Sequence, residues 1–486
     1  MVVGLDAGPT TLDPRFGTDA AASQIGELVF DALTRVDDGG RRLPQLAESW
    51  EMAEAQTYVF RLRDGFRFGS GEPVTAADVK ATYDSVLDPR TQSPKREEIG
   101  PIEAVEVLDR LTVRFRLRSP FAPFLSQTGL GILPAAAIAA SPDRPISLPP
   151  GSGPFLIKEF TPDDKLVLSR NADYPLKSPR LAGIVFMVVP DAVSRLLQLK
   201  RGALDLVQNG IDPDMLDWLK RQPHVKVLTA PGTTVQYLGL NHRDPKLADV
   251  RVRQAVAYAT DRDAIVNTIL KGTGQVADSL LSPSNWAYSA AVPEYAYDPQ
   301  RAKLLLDDAG FTDPDGDGPL PRFRLSYKTS TIELRQRIAE VLQEQLAGVG
   351  IGLDVRSYEW ATFYSDIRRG NFQLYSLAWV GIQDPDIYYL TSHSSQVPPR
   401  GLNRGWFSDE AIDRWTDAAR SSLDQDERRQ LYAAVQQRSA QVLPVVPLWW
   451  TTNVVAVNRR LHGFVVRPNA SYQSLKEAWV EEKGRT

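Results

Sequence analysis

Four histidines, His224, His242, His393 and His462, are the side chains best suited to proton transfer or metal binding near neutral pH. None stands in an HExxH arrangement or at metal-ligand spacing from another histidine, and no GxSxG elbow occurs. Cysteine is absent, which removes thiol catalysis, disulfides and cysteine-based zinc sites together. The 60 acidic residues always offer pairs for glycoside hydrolysis, but their spacing singles out none. Asp313, Asp315, Asp317 and Gly318 supply the first oxygen ligands and the glycine turn of an EF-hand-like loop. The twelfth position is Arg324 where a bidentate glutamate is needed, so a plain acidic turn is expected. The GSGPF run at 151–155 lacks a following GK[ST] and leads into a strand pattern, so it reads as a structural turn, not a phosphate loop. The expectation is a chain with no catalytic residue, no metal site and no cofactor.

Ten tryptophans are more suggestive. A cleft that grips a hydrated solute favours flat, amphipathic rings with few rotatable bonds. Trp218, Trp415 and Trp479 fall in stretches with helical patterning and are expected in the core. Trp286, Trp360, Trp379 and Trp406 lie at element ends or in loops. For Trp286 and Trp406 a packing role is as strong a reading as a binding one.

At 486 residues the chain exceeds one compact core, so two or three domains must hold these rings in place. The run 237–271 shows how. A strand over 235–240 stops at the turn cluster Asn241-His242-Arg243-Asp244-Pro245. Val252, Ala255, Val256 and Ala259 then repeat at helical spacing, with Arg251, Arg253 and Gln254 turned outward. Asp261 caps a second helix that stops at Gly272. Earlier, Tyr58, Phe60 and Leu62 alternate with polar neighbours, and Asp64-Gly65 signals a hairpin. Thr75-x-x-Asp78 has the form of a capping box. Leu28, Val29, Ala32 and Leu33 form one helical stripe. Asp298-Pro299 starts a helix, and Ser330-x-x-Glu333 is expected to cap a longer one. The strand Ile351–Tyr358, a helix over 361–369 and a strand over 372–379 follow, an alternation that favours an α/β sheet covered by helices.

The formal charge of −4 carries no basic block, leaving nucleic acid without an electrostatic foothold. No apolar run approaches the roughly 20 residues that span a bilayer. No leader segment is read before Val2, so either a cytoplasmic protein or a mature exported one fits the residues alone.

The order LDP at 12–14, PxLAESW, DGxxFxxGEPVTAADVK, GSGPF, RVRQAVAYATDRDAI and YDPxxAKLLLDDAG closely resembles the large solute-binding proteins of peptide- and nickel-type ABC importers. The resemblance spans nearly the whole chain. It implies an α/β, two-lobe periplasmic-binding-protein fold of the class II, cluster C type, with an extra subdomain in the first lobe. The implied division is 1–46, 47–170 (the inserted subdomain), 171–243, 244–456 (the second lobe) and 457–486, with hinge strands near 241–246 and 455–460. It further implies a monomeric, periplasmic or extracellular receptor, lipid-anchored in some full-length members. Such a receptor closes on a small solute (peptide-like, oligosaccharide or chelate) and delivers it to the importer's permease subunits. Trp360 and Trp379 match cleft-lining positions of the family, with Gly381 and Ile382 in the loop that follows. Thr18 and Asp19 fall where members present a cleft-facing loop, and Trp286 and Trp406 complete the expected ligand-binding set.

The sequence departs from dipeptide binders at two points. Those proteins hold the ligand's ammonium with an aspartate three residues after the tryptophan matching Trp379, a position filled here by Ile382. Their arginine for the ligand carboxylate, just before the helix over 332–347, is matched by Thr329. Burying an unpaired ammonium is costly. Either the solute is not a free dipeptide, or Asp384 or Asp386 takes over the amine.

Overall fold

Alternating apolar residues and turn clusters resolve into two compact units in the computed structural model, which describes residues 1–96, 99–316, 318–399 and 401–481. The first unit is Met1–Ala230 with the described residues from Asn453 onward, and the second is Pro231–Thr452. The chain passes between them twice, each time inside a long strand, Val225–Leu240 and Val445–Asn458. The turn 241–245 therefore lies wholly in the second unit, and 455–460 wholly in the first. No helix among the described residues is long and apolar enough to cross a membrane.

In the first unit, Val2–Leu5 runs parallel to Gly183–Val188 and to Leu206–Gln208. Lys165–Arg170 and Phe155–Thr161 extend this sheet antiparallel. Its core gathers Val3, Ile25, Leu28, Phe155, Phe186 and Leu206. A separate antiparallel sheet, in the order Ala47–Glu54, Thr57–Leu62, Thr112–Leu117, Ile102–Asp109, packs on the helix Ala76–Leu87. Edge-on contacts of Phe115 with Phe60 (5.6 Å) and Tyr83 (4.9 Å) fill the space between them. The capping box forms: the Asp78 carboxylate accepts from the Thr75 N–H at 2.8 Å.

Three local expectations for this unit are corrected. Asp64-Gly65 does not turn a hairpin, because Thr57–Leu62 pairs with the strand before it and with Thr112–Leu117. The helix Ala20–Val29 ends before Ala32 and Leu33, since Phe30 turns extended. Trp479 sits in the strand Trp479–Val480, which pairs with Leu461–His462 and stacks its ring on His462 at 4.3 Å. A two-residue strand is too short for period-2 alternation to reveal.

GSGPF is a backbone crossing. The Gly153 N–H donates to the Val29 carbonyl at 2.8 Å. A Cβ at Gly151 would stand 2.0 Å from that oxygen, and one at Gly153 2.6 Å, so only glycine lets the two segments touch.

In the second unit, Phe323–Ser330 runs parallel to both Ile351–Tyr358 and Leu374–Trp379. Leu374–Trp379 in turn lies antiparallel to the end of Val225–Leu240, with Val235 opposite Trp379. The helices Val250–Ala259 and Glu333–Ala347 bury Val252, Val256, Ile338 and Leu342 in one core with Leu325 and Tyr327. A second core holds Ile412, Tyr432, Val435 and Trp450. Asp261 caps as expected, accepting from the Ala264 N–H at 2.8 Å, and Asp298 caps Pro299–Asp308.

Arg253 is not turned outward. It is buried, and its guanidinium donates to the Leu247 and Ala248 carbonyls (both 2.8 Å) and to Val442 O at the end of the helix Gln425–Val442. Burial pushes its pKa down to about 10. Arg262 likewise joins the Ala277, Pro447 and Tyr295 carbonyls. These motif arginines satisfy otherwise orphaned carbonyls. Ser330 does not cap Glu333–Ala347: it closes its strand, buried, and Ile332 occupies the cap position without a side-chain bond.

Candidate functional site

Because three strands of the second unit run parallel, their carboxyl ends at Ser330, Tyr358 and Trp379 share one edge of the sheet. Ligands of open α/β sheets bind outside such ends. The residues that follow place large apolar side chains there in the open: Ile332, Trp360 (49% exposed) and Val380 (60% exposed). The helix Trp360–Arg369 begins at this edge and stacks Trp360 on Tyr364, centroids 5.6 Å apart and planes 12° from parallel. Trp379 stacks on Tyr237 at 5.7 Å and 6°.

Arg404 joins the two stacks. Its guanidinium lies 4.5 Å from the Trp379 ring and 5.3 Å from the Tyr364 ring. It donates to the Tyr237 hydroxyl at 3.1 Å and to the Tyr364 hydroxyl at 3.2 Å. Arg335, in the first turn of Glu333–Ala347, lies 5.4 Å from Trp360 and donates to Ser330 Oγ at 3.3 Å. Two of the expected site residues, Trp360 and Trp379, thus belong to one connected aromatic and cationic surface. Tyr237, Tyr364, Arg335 and Arg404 complete it, and no spacing signal pointed to them.

The remaining expected residues of this unit make other contacts. Trp286 packs edge-on against Tyr432 at 6.4 Å, with Arg428 5.2 Å from its ring. Trp406, at φ +54°, lies under the Arg243 guanidinium at 3.7 Å and over Gly370, where a Cβ would meet its ring at 2.5 Å. Gly381, at φ +65°, and Ile382 are tied to the strand Val225–Leu240: the Gly381 N–H donates to Thr234 Oγ1 and the Ile382 N–H to Thr233 O. Ile382 is buried with Val235, Tyr388 and Phe407. In the first unit, Thr18 is exposed, while Asp19 caps the helix Ala20–Val29. One Asp19 oxygen accepts from the Ala22 N–H at 2.7 Å, the other from the Thr10 N–H and hydroxyl at 3.0 and 2.7 Å.

The two aspartates after Ile382 are already matched by cations. Asp384 lies 3.6 Å from Arg428, and Asp386 3.0 Å from Arg420. Burial pushes the Asp386 carboxyl up to about 7, with Arg420 pulling the other way. Thr329 is fully buried at the end of its strand.

His242 and His393 are each held by local contacts, His393 between Ser395, Asp413 and Asp417. His242 Nε2 bonds the Pro444 carbonyl at 2.9 Å, and burial beside Arg253 pushes its pKa down to about 4, so it is neutral. His393 Nδ1 accepts from the Ser395 N–H. In the acidic loop, Asp313 accepts from the Asp315 and Gly316 N–H groups, while Arg322 faces Asp307 and Asp313 and Arg324 pairs with Asp354. Asp317 lies outside the described residues. Among the described residues, no cluster of three or more His, Asp or Glu could hold a metal ion.

Comparison with known proteins adds the relatives. Residues 43–398 match the family model described as bacterial extracellular solute-binding proteins, family 5. The oligopeptide-binding protein AppA of Bacillus subtilis is 28% identical, the match covering 99% of this chain and 91% of the relative. The structure of AppA in complex with a nonapeptide superposes with a TM-score of 0.87 over 99% of both chains. The dipeptide-binding protein of Escherichia coli is 27% identical over 96% of this chain and 92% of its own length. AgaA from A. tumefaciens R10, in complex with agropinic acid, is 27% identical with a TM-score of 0.84 over 99% of both chains. The periplasmic-binding-protein fold expected from the sequence is borne out. This chain belongs to the family 5 bacterial extracellular solute-binding proteins.

Proposed function

We propose that the chain is the extracytoplasmic receptor of an ABC importer, capturing a bulky polar solute that presents no free ammonium to it. Such a solute is a longer or blocked peptide, an oligosaccharide or another conjugate. It is bound without covalent change and handed to the permease subunits as the two units close on it. The carrying observation is the surface at the strand ends of the second unit, where Trp360 stands half exposed on Tyr364 and Trp379 lies between Tyr237 and Arg404. Flat rings grip a solute with little loss of side-chain freedom.

Two further features support a solute without a free ammonium. Ile382 buries an alkyl group where dipeptide binders are expected to carry a carboxylate, and Asp384 and Asp386 already face Arg428 and Arg420. An ammonium would have to displace an arginine from a buried pair, which is unfavourable. A non-peptide solute suits the same reading, since AgaA, as similar to this chain as the peptide binders, is in complex with agropinic acid. Calorimetry with unblocked dipeptides tests the proposal: no heat at micromolar concentration is expected, and sub-micromolar binding would overturn it.

A further inference from the structure

Resting on that receptor function, we propose that Arg404 and Arg335 form an oxyanion site in the second unit that takes a carboxylate of the solute. Arg404 is only 7% exposed, yet among the described residues no carboxylate pairs with it. Its partners are two phenol hydroxyls and two ring faces, all neutral. Arg335 is in the same position, with a serine hydroxyl and the Trp360 ring for partners. Among the described residues, neither Glu333, two positions before Arg335, nor Asp409, five positions after Arg404, pairs with either arginine, and Asp409 is held by Arg438. Asp366, on the helix that carries Tyr364, is taken by Lys328.

Other buried arginines of this unit are accounted for differently. Arg253 and Arg262 spend their donors on backbone carbonyls, and Arg428, with the partly exposed Arg420, faces aspartates. A guanidinium held in low dielectric without an anion gains strongly when one arrives. Ring faces and phenols hold the forks of Arg404 and Arg335 on the same Trp360–Tyr364 stack, at the sheet edge where the parallel strands end. A planar carboxylate suits such forks. An apolar or sugar body beside it would lie on the indoles. The site therefore selects an acid, whether the carboxylate is a peptide C-terminus, an acidic side chain or a sugar acid.

The test uses the full chain and matched probes. N-acetyl-tripeptides as free acids, N-acetyl-tripeptide amides with one glutamate, and oligogalacturonates are titrated against their carboxamide counterparts, with wild type, Arg335→Gln, Arg404→Gln and Arg404→Lys. Circular dichroism checks that each variant is folded. Arg335→Gln, at the less buried position, keeps the test alive should Arg404→Gln fail to fold. At least one acid is expected to bind wild type about 30-fold more tightly than its amide, the worth of a charge-assisted hydrogen bond. That preference should shrink in Arg335→Gln and Arg404→Gln and persist in part in Arg404→Lys. Which probe set shows it identifies the source of the carboxylate. Equal binding of acid and amide to wild type, an undiminished preference in the folded glutamine variants, or a neutral or cationic solute retained by the protein would overturn the oxyanion site while leaving the receptor function standing. Wild type that retains no solute and binds no probe of either kind contradicts both.

Discussion

Trp360 and Trp379 share a surface but differ in what holds them. Trp360 is half exposed, so Trp360→Ala should weaken solute binding while changing stability by only about 0.5 kcal/mol, the scale of surface substitutions. Trp379 closes a strand and lies between two cores, and Trp379→Ala should cost about 3 kcal/mol in denaturant unfolding as well as affinity. His242 offers a second check. Its pKa in the fold is about 4 against an ordinary value near 6.5, so the unfolded chain takes up the proton first. Stability from the neutral ring is complete above pH 6.5, falls as pH drops through that value, and levels off below about 4. His242→Gln should flatten the dependence of unfolding free energy on pH across that window by up to one proton, and an unchanged slope would contradict the assignment.

Elements were legible where the chain carries punctuation. The turn 241–245 ends Val225–Leu240 at Leu240, Asp261 and Asp298 cap where spacing said they would, and Thr75 and Asp78 form the capping box. Legibility failed where a residue's partner lies far along the chain. Arg253 looks like a solvated helix residue until Val442, 189 positions on, supplies its carbonyl. Ser330 has the right offset for a cap but is held inside a parallel strand pair. The candidate site shows the same divide. The family resemblance pointed to Trp360 and Trp379, but Arg404 meets Tyr364 across 40 positions and Tyr237 across 167, and no local pattern encodes that. At this scale, Gly153→Ala should destabilise the first unit by roughly 3 kcal/mol, because its Cβ would meet the Val29 carbonyl and force the helix end to move. Arg253→Ala should cost about as much, since the Val442 carbonyl would lose its donor inside the second unit. Neither substitution should change the acid preference of a protein that remains folded.

Over the whole molecule, the two units have separate cores, and two strands carry the chain between them. In the proposed function the two units close on the solute, and a solute with higher affinity for the closed form shifts the population toward it. Small-angle scattering should therefore show a smaller radius of gyration once the solute is added, and no change would count against closure. Native mass spectrometry of the freshly purified protein shows whether the chain holds a solute unaltered and without gripping an ammonium. A 1:1 non-covalent complex is expected, releasing on denaturation an intact solute that lacks a free α-ammonium. Release of an unblocked dipeptide, or of a solute chemically changed by the protein, would contradict it.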